Sequence, residues 1–179
     1  MQYQSLATPR LSLRIVTPKG YNHALENFSD SELMDFFGTD EAGIARERFR
    51  YKGGLVTFNR SFISFYIIEN ESSKVIGWCG FHTWYTEHNR AEIGYFLNDD
   101  CHKQKGYMSE VLPVVLRYGF EQMNLHRVEA LLADFNTASK RLLVKNGFVY
   151  EGYLRQHYYV NGVPEDSVIY SLLRHEFIK

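Results

Sequence analysis

Two segments of the sequence carry residues suited to holding a phosphorylated ligand. The first is Lys103-Gln104-Lys105-Gly106-Tyr107-Met108, which follows an apolar run at residues 93–97 and opens a long helical pattern. The first backbone N–H groups of a helix have no internal partner, and the helix dipole adds partial positive charge there. Gly106 would let the backbone approach a ligand closely, and the lysines add charge. We therefore predict that residues 103–108 bind phosphate.

The second segment is another helix start, Asn136-Thr137-Ala138-Ser139. Asn136 is a residue type that caps helix N-termini well, and its side-chain amide would still be able to reach a ligand. Between the two segments, Glu92 lies on the predicted strand that leads into the first loop. Alternation along a strand places Glu92, Gly94 and Phe96 on one face of the sheet and Ile93, Tyr95 and Leu97 on the other.

These segments resemble the signatures of the GNAT superfamily of acetyl-CoA-dependent N-acetyltransferases. The phosphate loop of that family reads Gln/Arg-x-x-Gly-x-Gly/Ala, and this sequence keeps the central glycine but has Lys103 and Met108 at the two ends. The second signature has a tyrosine where this sequence has Leu143. Its other positions are met by Asn136, Ser139, Leu142, Lys145, Gly147 and Phe148.

The two ends of the chain resemble the RimJ/RimL-like branch of that superfamily. The N-terminal strand Pro9-Arg10-Leu11-Ser12-Leu13-Arg14 is similar to the first strand of the branch. Similarity in the tail runs from Glu151-Gly152 to Glu176-Phe177, so the resemblance spans nearly the whole chain.

The resemblance implies a role for each candidate residue. Glu92 would be the general base that removes a proton from the substrate ammonium, against the alternative of a solvated strand glutamate. Ser139 would protonate the departing CoA thiolate in place of the missing tyrosine, although water or an inert surface serine remains an alternative. The strand around Phe96 and Leu97 would pair with the pantetheine amides, and a backbone N–H there would stabilise the oxyanion. Residues 103–108, Asn136 and Ser139 would complete the acetyl-CoA site.

The composition fits one domain over residues 1–179. The chain has a net charge of −1, and 45% of its residues are hydrophobic, as in globular proteins rather than disordered ones. That charge gives no reason to expect binding to nucleic acid or to an anionic membrane. Cys79 and Cys101 do not form a disulfide framework, and no metal-ligand spacing appears. We expect a cytoplasmic monomer or homodimer without a metal.

The order of predicted elements is strand, helices, three strands, helix, strand, helix and two strands. It predicts an α/β (α+β) fold in which a mixed sheet has helices on both faces. The resemblance further implies a mostly antiparallel, twisted sheet with a splayed parallel strand pair at the acetyl-CoA site. The predicted strands are 11–15, 62–69, 75–83, 90–97, 127–133, 148–155 and 168–173. Two or three helices are predicted within 21–52, with Ser31 and Thr39 as plausible N-caps, and another at 136–146. The helix predicted after Gly106 has one apolar side, formed by Met108, Leu112, Val115, Gly119 and Met123.

The acceptor is the least determined part of the prediction. Resemblance to the RimJ/RimL branch implies the α-amine of a protein N-terminus, such as that of a ribosomal protein. A small amine (a polyamine, an amino acid or an aminoglycoside) is the first alternative, and a non-catalytic CoA-binding module is the second. Acidic residues at 30–41 are followed directly by Arg46, Arg48, Arg50 and Lys52, so the charge pattern alone does not choose among them.

Overall fold

An eight-stranded sheet forms the centre of the computed structural model, which describes residues 2–57 and 59–177. The strands are β1 (Ser5–Ala7), β2 (Leu11–Val16), β3 (Arg60–Glu69), β4 (Val75–Tyr85), β5 (Arg90–Leu97), β6 (Arg127–Leu132), β7 (Val149–Val160) and β8 (Val163–Leu173). The helices are α1 (Pro18–Asn27), α2 (Asp30–Phe37), α3 (Glu41–Gly53), α4 (Tyr107–Glu121), α5 (Thr137–Lys145) and α6 (Arg174–Phe177), with single 3₁₀ turns at Thr86–His88 and Asp100–His102.

The sheet is mixed, as predicted. Its strand order is β1-β2-β3-β4-β5-β6-β8-β7, and β5 and β6 form a parallel pair between antiparallel neighbours. α1, α2 and α3 pack on one face around Leu33, Phe36 and Phe37. α4 packs on the other face against β2 and β4, so both faces are covered by helices.

α4 buries the apolar stripe that its sequence predicts. Leu112 and Val115 are fully buried, and Met123 follows them into the same core at the end of the helix. Gly119 lies where the helix crosses Phe81, and a Cβ at that position would come within 2.5 Å of the phenylalanine ring. The glycine therefore permits the close contact between α4 and the sheet.

Two predicted helix caps are wrong. The cap of α2 is Ser29 rather than Ser31, because the Ser29 hydroxyl accepts from the Glu32 backbone N–H while the Glu32 carboxylate accepts from Ser29. The cap of α3 is Asp40 rather than Thr39, because the Asp40 carboxylate accepts from the Gly43 N–H. In each case the residue that reaches the N–H three positions on forms the cap.

The C-terminal hairpin is longer than the sequence predicts. β7 and β8 continue to Val160 and Val163 around the turn at Asn161-Gly162, where both residues have positive φ. Register shifts interrupt their pairing, and these break the two-residue alternation on which the strand prediction depends. β1 was not predicted, because three residues are too few to show a period.

Candidate active site

The parallel pair β5 and β6 opens into a gap. The strands are paired only at their first three positions, from Arg90 opposite Arg127 to Glu92 opposite Glu129. β5 then continues to Leu97 without a partner on that side. Its backbone groups beyond Glu92 are therefore available to a ligand, and this is the splayed pair that the resemblance implies.

A cavity of about 210 Å³ occupies this gap. Its walls include Glu92, Tyr95 and Leu131 from the two strands, and Asn136 and Ser139 from the start of α5. Fully buried Leu143 closes it from the side of α5. The cavity thus brings together Glu92, Asn136 and Ser139, three of the residues that the sequence singled out.

Glu92 differs in environment from its neighbour Glu129. Burial, and next the charge of Glu129, raise the pKa of Glu92 to about 7. Glu129 accepts hydrogen bonds from Arg90 at 2.9 Å and from Arg127 at 2.7 Å. The two arginines therefore compensate the charge of Glu129, and no lysine or arginine of the described residues pairs with Glu92, so Glu92 exchanges its proton near neutral pH.

Two side chains that the sequence did not assign to the site face Glu92. His82 Nδ1, from β4, lies 3.7 Å from Glu92 Oε2. Burial lowers the pKa of His82 while it raises that of Glu92, so near neutral pH the pair is not a stable ion pair. Tyr158, from β7, has a pKa raised by burial and then by the charge of Glu92. Pairing of distant strands brings these groups together, and no local pattern signals it.

Ser139 lies beside Tyr95 in the gap. Burial raises the pKa of Tyr95 to about 12, and the nearby Ser139 hydroxyl partly opposes that shift. Leu143, at the position of the family tyrosine, lines the same cavity. The phenol of Tyr95, on β5, therefore lines the same cavity as Leu143, the α5 position that is tyrosine in the family signature. Tyr95 was predicted on the opposite strand face from Glu92, with no chemical role.

The loop before α4 has the backbone geometry that an anion requires. Gly106 is the N-cap of α4 with φ of +78°, and Gln104 also has positive φ. Within the described chain, the backbone N–H groups of residues 104–109 donate to no protein acceptor. These free donors at a helix N-terminus suit the pyrophosphate of acetyl-CoA.

The side chains of this loop contribute less than the sequence implies. Lys103 is paired with Asp100, and the Tyr107 ring is buried with its hydroxyl donating to Glu69. Met108 packs against the core. Any contact of Tyr107 or Met108 with an anion would therefore come from their backbone N–H groups.

Arg10, the residue just before β2, contacts the loop that precedes α4. Its guanidinium donates to the Lys105 carbonyl at 3.1 Å and to Glu110 at 2.8 Å, and it stacks on the Tyr107 ring. These contacts fix the start of α4 and add a cation beside it. Arg10 was noted only for its resemblance to a first strand, because its contact with residue 105 is not local.

A second cavity of about 810 Å³ lies between the sheet and α3. Its aromatic wall includes Trp78, Phe96 and Tyr66, and its other wall is formed by α3. His82 and Gly94 line both cavities, so the two meet beside Glu92. A Cβ on Gly94 would come within 2.9 Å of His82, so the glycine keeps this junction open. The arrangement allows two substrates to meet from opposite sides of β5.

Comparison with known proteins identifies the family. A sequence model of the acetyltransferase (GNAT) domain matches residues 10–149. The chain belongs to the GNAT acetyltransferase family. It is also 33% identical over 178 residues to an uncharacterized N-acetyltransferase, YoaA, of Bacillus subtilis, covering 94% of this chain and 96% of that protein. This GNAT enzyme is therefore an N-acetyltransferase that uses acetyl-CoA.

Other relatives differ in their acceptors. The chain is 27% identical to the ribosomal-protein-serine acetyltransferase of Escherichia coli, covering 67% of this chain and 66% of that protein. It is 25% identical to the spermidine N(1)-acetyltransferase of Vibrio cholerae, covering 63% of this chain and 65% of that protein. The crystal structure of a GNAT acetyltransferase from Bacillus anthracis superposes with a TM-score of 0.67 at 28% identity, covering 97% and 100% of the two chains.

The described residues contain neither a metal-binding cluster nor a membrane-spanning helix. Residues 2–57 and 59–177 contain no group of three histidine, cysteine or acidic side chains placed to hold a metal ion. The helices of the same residues include none that is long and apolar enough to cross a membrane. Cys101 is exposed, and its hydrogen bond with Asp99 raises its pKa, which disfavours the reactive thiolate.

Proposed function

We propose that this GNAT enzyme acetylates the α-amine of a protein or peptide N-terminus, as an enzyme of the RimJ/RimL-like branch working in the cytoplasm. The observation that carries the proposal is the position of Glu92 at the junction of the two cavities, where burial and the charge of Glu129 raise its pKa to about 7. An α-amine has a pKa near 8, so a base of this strength exchanges a proton with it at little cost, whereas a lysine-type amine is near 10.4.

The acceptor would enter through the cavity beneath α3. That cavity is open to solvent and lined by aromatic rings, so it would accommodate the first side chains of a peptide. The amine would then lie beside Glu92, with His82 and Tyr158 as its polar surroundings. A ribosomal protein N-terminus is one such acceptor.

Acetyl-CoA would bind from the other side of β5. The N–H groups of residues 104–109 would hold its pyrophosphate, and the unpaired edge of β5 around Phe96 and Leu97 would pair with the pantetheine amides. Asn136 fixes the start of α5, since its side chain accepts from the Ser139 N–H at 3.1 Å. The thioester carbon would thereby lie in the gap between β5 and β6.

Direct transfer needs only proton movements from the protein. Glu92 takes one proton of the ammonium, directly or through water, and the neutral nitrogen forms the new C–N bond at the thioester carbon. The nitrogen then loses its second proton as the C–S bond breaks. That second proton passes to the leaving thiolate through the Ser139 hydroxyl or through water, and the proton taken by Glu92 returns to solvent. Atoms and charge balance without a covalent enzyme intermediate.

Steady-state assays with a panel of amines test the proposal. At equal acetyl-CoA, kcat/KM for short peptides with a free N-terminus should exceed that for spermidine and for an aminoglycoside. Mass spectrometry of the product should place the acetyl group on the α-nitrogen, and peptides with a blocked N-terminus and a free lysine should react poorly. Tenfold preference for spermidine would favour the small-molecule alternative, and no transfer to any amine would favour the CoA-binding module.

A further inference from the structure

One face of α3 lines the acceptor cavity with polar side chains. Gly43, Arg46, Glu47 and Arg50 have the i, i+3, i+4, i+7 spacing of a single helix face, and all four line the cavity. The opposite face is used differently, because Ile44 packs in the core and Arg48 pairs with Asp30 at 2.6 Å. The structure thus places Arg46 and Arg50 at the cavity and Arg48 away from it, a difference that the sequence alone did not show.

Both carboxylates on this wall already have protein donors. Asp40 accepts from the Gly43 N–H at 2.8 Å as the cap of α3. Glu47 accepts from the Tyr21 hydroxyl at 2.8 Å and from Arg50 Nη1 at 2.8 Å, and only 19% of its side chain is exposed. The charge of Glu47 is therefore already compensated by Arg50, whereas the exposed Asp40 keeps acceptor capacity beyond its capping bond.

The arginines keep donors in reserve. Arg46 forms no ion pair or side-chain hydrogen bond with any residue in the described part of the chain. Arg50 uses Nη1 for Glu47, which leaves the rest of its guanidinium available. A planar guanidinium binds a carboxylate through two parallel hydrogen bonds. The wall of α3 therefore offers unpaired donors to whatever fills the cavity.

We infer that the acceptor carries a carboxylate that Arg46 binds, with Arg50 beside it, while its amine lies at Glu92. The inference rests on the proposed function and narrows it, because the acceptor then has an amine and an acid within one short molecule or segment. The carboxylate is either an acidic side chain near a protein N-terminus or the C-terminal carboxylate of a dipeptide. A polyamine has no such group and would place a second cation against Arg46.

Matched acceptors measure the contribution of the carboxylate. The peptide pairs Ser-Asp-Ala-amide and Ser-Asn-Ala-amide, and Ser-Ala-Asp-amide and Ser-Ala-Asn-amide, differ only in one acidic side chain. Ser-Ala and Ser-Ala-amide test the C-terminal carboxylate. For at least one pair, the acid should have a kcat/KM at least tenfold higher than its amide, a ratio equivalent to about 1.4 kcal/mol.

Two variants test whether Arg46 is responsible for the acid-to-amide ratio of kcat/KM. Arg46→Gln should bring the acid-to-amide ratio close to one, mainly by raising KM for the acid. Arg48→Gln is the matched control from the opposite face, and it should keep the wild-type ratio. Transfer to α-amines with equal kcat/KM for every acid and amide would overturn the inference and leave the proposed function standing. Preference for spermidine over all of these peptides would overturn both the inference and the proposed function. An unchanged acid-to-amide ratio in Arg46→Gln would overturn only the contact between Arg46 and the carboxylate.

Discussion

At the scale of single residues, two neighbouring glutamates show how environment assigns chemistry. Glu92 and Glu129 are paired across the parallel strands, yet only Glu129 is bonded to arginines. Glu92 is left with burial and a like charge, which together raise its pKa to about 7. The sequence could nominate Glu92 from its place before the loop. The sequence could not predict that Arg90 and Arg127 bind the neighbouring Glu129, because these contacts depend on the register of the strands.

Replacement of Glu92 by Gln should lower kcat by about 10²–10⁴-fold and leave the Kd for acetyl-CoA unchanged, since the group acts on the amine. Wild-type kcat/KM should rise with pH through about 7, the pKa of Glu92, because the base must be deprotonated. That limb should vanish in the variant, which keeps only the ionisation of the amine. The matched control is Glu87→Gln, on the 3₁₀ turn at Thr86–His88. A variant that retains the limb near 7 would exclude Glu92 as the base.

The same substitution should make the protein more stable relative to wild type as pH rises. The folded state binds the Glu92 proton more tightly than the unfolded state, whose pKa is near 4.5. Unfolding free energy attributable to this group therefore falls between pH 4.5 and about 7 and is level above that. Relative to wild type, Glu92→Gln should gain about 1–2 kcal/mol from pH 5 to pH 8 in urea titrations. A difference that does not change with pH would mean that the carboxyl is not perturbed by burial.

Ser139 and Tyr95 should be partly redundant as proton donors. Ser139→Ala alone should lower kcat by less than tenfold, since Tyr95 and water remain near the leaving sulfur. Ser139→Ala combined with Tyr95→Phe should lower it by more than the product of the single effects. A double-mutant cycle of kcat measures this coupling, and strictly multiplicative effects would show that the two hydroxyls act independently or not at all.

At the scale of elements, the sequence predicts most helices and strands but not the contacts through which they pack together. The turn-and-helix chemistry at Gly106, Asn136 and Gly147 is local, so its positions could be predicted. The α3 face toward the acceptor cavity could not, since it depends on where the helix crosses the sheet. Arg10 shows the same limit, because its bond to the Lys105 carbonyl spans 95 positions.

Gly106→Ala should weaken CoA binding about tenfold, or about 1.4 kcal/mol, measured by calorimetry. The backbone at Gly106 has φ of +78°, and a methyl group there would lie 3.7 Å from the Arg10 guanidinium that supports the loop. Gly162→Ala is the matched control, because Gly162 has φ of +80° in the β7–β8 turn with nothing within 4 Å. Both variants should lose about 1–2 kcal/mol of stability from backbone strain. Equal CoA affinity in the two would exclude an anion site at residues 104–109.

At the scale of the whole molecule, two cavities lie on different sides of β5 and meet beside Glu92. The gap between β5 and β6 lies toward α5, and the larger cavity lies toward α3. They meet where Gly94 leaves space beside His82 and Glu92. In the proposed mechanism, an amine and a thioester would approach this meeting point from opposite sides, so transfer would need no covalent enzyme intermediate.

A crystal structure with a bisubstrate conjugate tests this account most directly. The conjugate joins the sulfur of CoA, through an acetyl linker, to the α-nitrogen of Ser-Asp-Ala-amide. We predict that its pyrophosphate contacts the N–H groups of residues 104–109, and that its linker passes between β5 and β6 with the amide nitrogen beside Glu92. The peptide should then lie beneath α3. A linker that does not enter the gap between β5 and β6, or a peptide outside the cavity beneath α3, would contradict the account.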